Sequence, residues 1–133
     1  MDEKQLQEKY FQLKNYEENI KALDMQLKQV DAQLAEFDST IEALDELEKQ
    51  DAPIKSLVPI SQGIFLSAEI KNTKELILNV GSDVMVTKSI DETKQIINKQ
   101  KQELMLYKDK AVAQMAAIDS QSQKLEQELS GFM

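Results

Sequence analysis

Residues 56–70 read SLVPISQGIFLSAEI, and this stretch decides the fold because it places β-strand pattern in the middle of a chain of helical pattern. Over residues 64–70 an apolar residue stands at every second position, which is the period of a β-strand. Residues 57–61 read as a preceding strand, and the intervening Gln62-Gly63 is a typical turn pair. The stretch is therefore predicted to form a β-hairpin.

A second hairpin is predicted directly after the first. Apolar residues again alternate over residues 76–80 and over residues 84–86. Turn signals rich in Asn, Gly, Ser and Asp precede and separate these runs, at 71–74 and 81–83. Residues 54–89 are therefore predicted to hold four short strands in two consecutive hairpins.

The chain before the hairpins carries the spacing of a coiled coil. From Tyr16 to Leu44 apolar residues recur at alternating steps of four and three, which is typical of a left-handed coiled-coil seam. Upstream, the apolar stripe continues through Leu6, Tyr10 and Leu13, and the steps from Tyr10 to Leu13 and from Leu13 to Tyr16 are both three residues. Such steps predict a stammer, a local overwinding of the coil.

The chain after the hairpins shows the same pattern less regularly. Ser89 and Glu92 have the spacing of a capping box, which predicts that the second helix begins there. One extra four-residue step separates Ala111 from Met115 in the apolar stripe. The predicted seam consists of Leu104, Tyr107, Ala111, Met115, Ile118, Ser122, Leu125, Leu129 and Phe132.

These patterns predict a mainly α fold with a small β insert. The two helices form a long antiparallel coiled-coil hairpin, and two consecutive β-hairpins lie at the helix–helix junction. Its parts are a helix over residues 1–50, the β-hairpins over 53–89 and a second helix over 90–133. Pro53 disfavours helical geometry in the residue before it and so ends the first helix near residue 50. The comparable helix lengths favour pairing within one chain. A parallel dimer of each helix is the alternative, and it would require the strands to be splayed apart.

The amino-acid composition disfavours catalytic sites, metal sites and nucleic-acid binding. The chain has no Cys and no His, and all 16 basic residues are Lys, so the usual nucleophiles, bases and metal ligands are missing. A net charge of −8 without any Arg disfavours binding to nucleic acid. Adjacent carboxylates such as Asp45 and Glu46, and the lysines generally, are interpreted as solvated helix surface. We therefore expect no enzyme, no metal site and no cofactor.

The N-terminus is charged from its second residue and lacks the apolar core of a signal peptide. No apolar run approaches the roughly 18 residues that a membrane span needs. We therefore expect a cytoplasmic protein without a membrane partner.

The predicted strands carry more apolar surface than two hairpins can bury. Each buried side chain of this type contributes roughly 1.5–3 kcal/mol, and isolated hairpins have open edges that pair with other strands. Strands from several chains are therefore predicted to close into a barrel that acts as an oligomerisation hub. The predicted interface residues are Leu57, Val58, Ile60, Leu66, Ile70, Leu78, Val80, Val84 and Val86.

The insert resembles the α-type subunit of the archaeal-like prefoldin family. The first matching features are Leu57-Val58-Pro59-Ile60 at the start of the insert and a first hairpin that ends near Ile70. The others are the Val80-Gly81 turn and residues 84–88, which lead directly into a helix with acidic residues in its first turn. Two hairpins rather than one distinguish the α type from the β type. The resemblance covers the whole chain in architecture and residues 57–92 in specific matches.

The resemblance implies a hetero-hexamer of two α-type and four β-type subunits, with a double β-barrel body and six coiled-coil arms. It implies an ATP-independent chaperone that holds non-native proteins at the arm tips and delivers them to a group II chaperonin. The alternative is a structural scaffold or self-assembling filament subunit that binds no client protein.

Apolar residues near both chain ends are the candidates for client binding at an arm tip. Those on the stripe have a second interpretation, in which they only close the coil. Phe11 lies off the stripe and favours contact with a client, and the two residues after Gly131 could instead form a tail. The candidates are Leu6, Tyr10, Phe11, Leu13, Leu125, Leu129, Phe132 and Met133.

Overall fold

The structure, a computed structural model, describes residues 2–131 and has two long helices on either side of two β-hairpins. Helix α1 spans Glu3–Glu48 and helix α2 spans Ile90–Ser130. The strands are β1 (Ile54–Ser61), β2 (Ile64–Ile70), β3 (Glu75–Asn79) and β4 (Met85–Ser89). β1 pairs with β2 and β3 with β4, as two separate antiparallel sheets. The predicted fold class, helices joined by two consecutive hairpins, is confirmed.

The first hairpin is longer than its apolar pattern indicates. β1 begins at Ile54, three residues before the predicted start, because Ile54 pairs with Ile70 at the open end of the ladder. The register shifts between Pro59 and Ser61, where the proline has no amide hydrogen to donate. Gly63 closes the turn with a φ of 78°, a left-handed conformation that glycine adopts without steric cost.

The second hairpin turns over residues 80–84 and leads straight into α2. The Val80 amide donates to the Val84 carbonyl and the Val84 amide donates to the Gly81 carbonyl, both at 2.9 Å. β4 begins at Met85, one residue later than predicted, and ends at Ser89, so that no connecting residue separates it from Ile90.

The predicted capping box at the start of α2 is confirmed. The Glu92 amide donates to the Ser89 hydroxyl at 3.1 Å, and the Ser89 amide donates to the Glu92 carboxylate at 3.4 Å. These hydrogen bonds to Ser89 lower the pKa of the Glu92 carboxyl below its ordinary value. Asp2 and Gln5 exchange the same pair of bonds at the start of α1.

We expect Ser89→Ala to lower the free energy of unfolding by about 1 kcal/mol, because the cap hydrogen bond is lost. The measurement is urea unfolding at pH 7, with Ser120→Ala on the exposed surface of α2 as the matched control. Because Glu92 has a lowered pKa in the folded state, its stabilisation is present above pH 4.5 and is lost as the pH falls below that value. The difference between parent and variant should therefore shrink in acid, and an equal loss from both serines would contradict this role.

The chain divides into two compact units. The central unit is Glu36–Lys101, and the terminal unit is formed by the chain up to Ala35 together with the chain from Gln102 onward. In the central unit, Leu44, Ile90 and Ile97 form a buried apolar cluster. The partly buried residues packed against this cluster are Phe37, Ile41, Leu47 and Leu76. Through Leu76, the cluster joins the second hairpin to both helices.

Candidate functional site

The seam of α1 is more regular than its apolar residues suggest. From Leu6 to Leu44, buried and half-buried residues follow alternating steps of three and four. Lys9 occupies a seam position, whereas Tyr10 is 41% exposed, so the predicted stammer is wrong. A lysine can pack its aliphatic stem in a seam and keep its ammonium outside. The seam consists of Leu6, Lys9, Leu13, Tyr16, Ile20, Leu23, Leu27, Val30, Leu34, Phe37, Ile41 and Leu44.

The seam of α2 is equally regular and also includes lysines. Lys108 occupies the position predicted for Tyr107, which is 47% exposed and donates its hydroxyl to the Gln26 side chain at 3.2 Å. The predicted extra step is therefore wrong. The seam consists of Ile90, Lys94, Ile97, Lys101, Leu104, Lys108, Ala111, Met115, Ile118, Ser122, Leu125 and Leu129.

Ion pairs between the helices hold the lysines of the central unit. The Lys94 ammonium lies 2.5 Å from an Asp45 carboxylate oxygen and 2.6 Å from one of Glu48. These hydrogen bonds raise the pKa of Lys94 above its ordinary value. Lys101 pairs with Asp38 in the same way. The interpretation as solvated surface is therefore wrong for Lys94 and Lys101, at 18% and 31% exposure, whereas Asp45 remains at the surface with 51% exposure.

The terminal unit contains two further pairs of the same kind. Lys108 lies 2.6 Å from Asp31, and Lys9 pairs with Glu128. The second pair lies close to both chain ends, so α1 and α2 are adjacent there and run in opposite directions.

The candidate tip residues fall into two groups in the terminal unit. Leu125 and Leu129 are buried, at 8% and 3% exposure, and Leu6 and Leu13 are half-buried, so these four lie in the seam. Phe11 is 66% exposed, and Tyr10 beside it is 41% exposed. Phe132 and Met133 lie outside the described residues.

The hairpins expose most of their apolar side chains, and we call this set the hub surface. On one face of the first hairpin, Val58 lies opposite Leu66, at 45% and 57% exposure. The other face carries Leu57 and Phe65, which are 65% and 54% exposed. The full set is Leu57, Val58, Ile60, Ile64, Phe65, Leu66, Ile70, Ile77, Val80, Val84 and Met85.

Two of the predicted interface residues are placed differently from the others. Leu78 and Val86 lie opposite each other and are half-buried, on the same side of the second hairpin as Leu76. The outer side of that hairpin instead presents Ile77 and Met85, at 76% and 61% exposure. Met85, the first residue of β4, is not among the predicted interface residues. The alternation of residues 84–86 nevertheless places it on the opposite side of the strand from Val84 and Val86.

Within residues 2–131, no three His, Cys, Asp or Glu side chains converge as metal ligands would. Neither helix, over the same residues, has the long uncharged apolar stretch that crosses a membrane. The hub surface is a candidate for binding because its apolar side chains are exposed. Contiguous patches of this kind mark protein–protein contact sites.

In a comparison with known proteins, a family model described as a prefoldin subunit matches residues 16–132. A prefoldin subunit alpha from Archaeoglobus fulgidus is 27% identical over 128 residues, covering 96% of this chain and 93% of that protein. The prefoldin subunit alpha of Methanobrevibacter smithii is 37% identical over 75 residues, covering 56% of this chain and 51% of that protein.

Two solved structures share the fold. A chain in the cryo-EM structure of filamentous PFD from Methanocaldococcus jannaschii superimposes with a TM-score of 0.79 at 16% identity, covering 90% of this chain and 98% of that chain. The crystal structure of the prefoldin beta subunit from Thermococcus strain KS-1 gives a TM-score of 0.65, also at 16% identity, covering 96% and 90%.

Proposed function

Because this chain belongs to the prefoldin family, whose members are non-enzymatic chaperones, we propose that it is an α-type subunit of a client-holding assembly. Its hub surface pairs with β-type subunits, two α-type chains with four β-type chains. The assembled arms hold non-native proteins without ATP and pass them to a group II chaperonin.

The exposed strands of the two hairpins are the observation that supports this proposal most directly. Phe65 and Ile60 are more than half exposed, and Ile77 is 76% exposed. Complete burial of a side chain of this type is worth roughly 1.5–3 kcal/mol, of which more than half remains to be gained here, and β-strand edges accept a further strand through their free amides and carbonyls. Assembly through the strands satisfies both requirements at once.

Client holding is assigned to the end of the terminal unit. Phe11 offers a largely exposed aromatic ring there, next to Tyr10. Non-native proteins present apolar segments, and such segments bind weakly to a single ring of this kind. Several arms acting together would supply the avidity that one contact lacks.

Phe11 has an internal control on the same helix. Met25 follows it by two heptads, so the two residues project from the same side of α1, and their exposures are 66% and 65%. We expect Phe11→Ser to weaken protection of an aggregating client by roughly threefold, and Met25→Ser to leave it nearly unchanged.

The measurement is light scattering from a chemically unfolded client, without nucleotide, in the presence of this chain co-assembled with a single-hairpin β-type partner. The parent assembly should suppress aggregation. Equal effects of the two substitutions would remove Phe11 from the contact. A correctly assembled parent that gives no protection would overturn the client-holding role and leave the scaffold alternative.

A further inference from the structure

Three seam lysines of α2 are matched by carboxylates at the same interval on α1. Lys94, Lys101 and Lys108 are spaced seven residues apart, and we call them the lysine column. Their partners Asp45, Asp38 and Asp31 are spaced seven residues apart in the reverse direction. The three ion pairs therefore require the same antiparallel alignment of α1 with α2.

The lysine column lies inside the seam rather than beside it. The side chains of Lys94, Lys101 and Lys108 are 18%, 31% and 37% exposed, whereas their aspartate partners are 51–58% exposed. Apolar residues at these positions would pack more favourably, since a lysine in a coiled-coil seam specifies pairing at a cost in stability. The alternate seam positions of this part of α2, Ile90, Ile97 and Leu104, are all apolar.

We propose that the lysine column selects the helix with which α2 pairs: it accepts α1 and rejects α2 of a second copy of the chain. Beside α1, each ammonium meets an aspartate. Beside another α2, lysines would face lysines in a partly desolvated seam without carboxylate partners. Like charges placed in this way favour one pairing by penalising the competing one.

The need for such selection arises from the seams themselves. Without the lysine column, the seam of α2 would be an apolar stripe from Ile90 to Leu129, interrupted only by Ser122 and able to pair with a copy of itself. Wherever several copies are held close together, the intrachain helix pair would then compete with exchange between chains. This competition between helix pairings arises whether or not a client protein is bound.

A charge-reversal experiment tests the pairing with α1. Helix α2 contains six lysines, three in the lysine column and three on its exposed surface, Lys99, Lys110 and Lys124. Reversing either trio to glutamate changes the net charge equally. We expect Lys94→Glu, Lys101→Glu and Lys108→Glu together to lower the Tm of the full chain by roughly 15 °C, and the exposed trio by less than about 5 °C.

Combining the column reversal with Asp31→Lys, Asp38→Lys and Asp45→Lys should restore most of the lost Tm, because the pairs reform with opposite sign. This rescue also decides the outcome if the reversed variant does not fold. A rescue that restores nothing, or equal losses from both lysine trios, would overturn the proposal.

A crosslinking experiment tests rejection of a second copy. The chain has no cysteine, so Gln100→Cys introduces a single reactive site on α2. Position 100 lies near its own copy both in a parallel α2 pair and in an antiparallel pair centred on Lys101. A short bis-maleimide should therefore report either pairing.

Lysine-to-methionine changes at 94, 101 and 108 remove the charge and keep a linear side chain. In this background we expect the yield of interchain crosslink to rise at least roughly fivefold over the Gln100→Cys parent, at equal assembly size. The matched background carries methionine at 99, 110 and 124 and should stay at the parent yield. A folded column variant with no added crosslink would overturn the selection of partner.

Discussion

Assembly with β-type subunits should be abolished at micromolar concentration by the double substitution Val58→Lys and Leu66→Glu. These two residues lie opposite each other on one exposed face of the first hairpin. About half of each side chain remains to be buried, so losing that burial removes roughly 1.5–3 kcal/mol per chain, and the cost of burying two charges in its place raises the loss above roughly a hundredfold in dissociation constant. Sedimentation velocity of the mixed subunits would show the chain remaining apart from its partner.

The double substitution is designed to spare the hairpin itself. Opposite charges in a cross-strand pair stabilise an antiparallel ladder, and the net charge of the chain does not change. The same hairpin supplies the control, since Lys55 already lies opposite Glu69. Exchanging that pair, Lys55→Glu with Glu69→Lys, should leave assembly intact. Assembly that survives the change at 58 and 66 would exclude this face from the interface.

A large loss of stability, about 3 kcal/mol, is expected for Leu44→Ala. Leu44 is 9% exposed in the buried cluster with Ile90 and Ile97, against which Leu76 of β3 also packs. Its truncation leaves a cavity where α1, α2 and the second hairpin meet. Urea unfolding followed by circular dichroism measures the change.

Leu106→Ala is the control for that experiment, because Leu106 is 62% exposed on α2. We expect this variant to lie within about 0.5 kcal/mol of the parent. Similar losses from both leucines would mean that helix propensity, rather than the cluster, determines the result.

The hairpins could be predicted from sequence because their signals are local. Two-residue alternation and turn residues such as Gln62-Gly63 depend only on neighbouring positions. Which side of the second hairpin packs inward was not predictable in this way, since Ile77 and Met85 on one side are as apolar as Leu78 and Val86 on the other. That choice is made by Leu76 against the helix cluster, a contact between distant parts of the sequence.

The seam was predicted where its residues are apolar and missed where they are lysine. Apolar periodicity alone places Tyr10 and Tyr107 in the stripe, whereas Lys9 and Lys108 occupy the seam positions beside them. A signal was nevertheless present, because lysines at 94, 101 and 108 share the interval of aspartates at 31, 38 and 45. Intervals of seven in complementary charges indicate seam pairs when the apolar stripe alone is irregular.

The junction between β4 and α2 has a mechanical consequence. Ser89 ends the strand and Ile90 begins the helix, whereas five residues, 49–53, connect α1 to β1. The capping bonds of Ser89 and the burial of Ile90 hold the first junction from both sides. A rotation of β4 is therefore transmitted directly to the first turn of α2, whereas a rotation of β1 reaches α1 only through the five connecting residues.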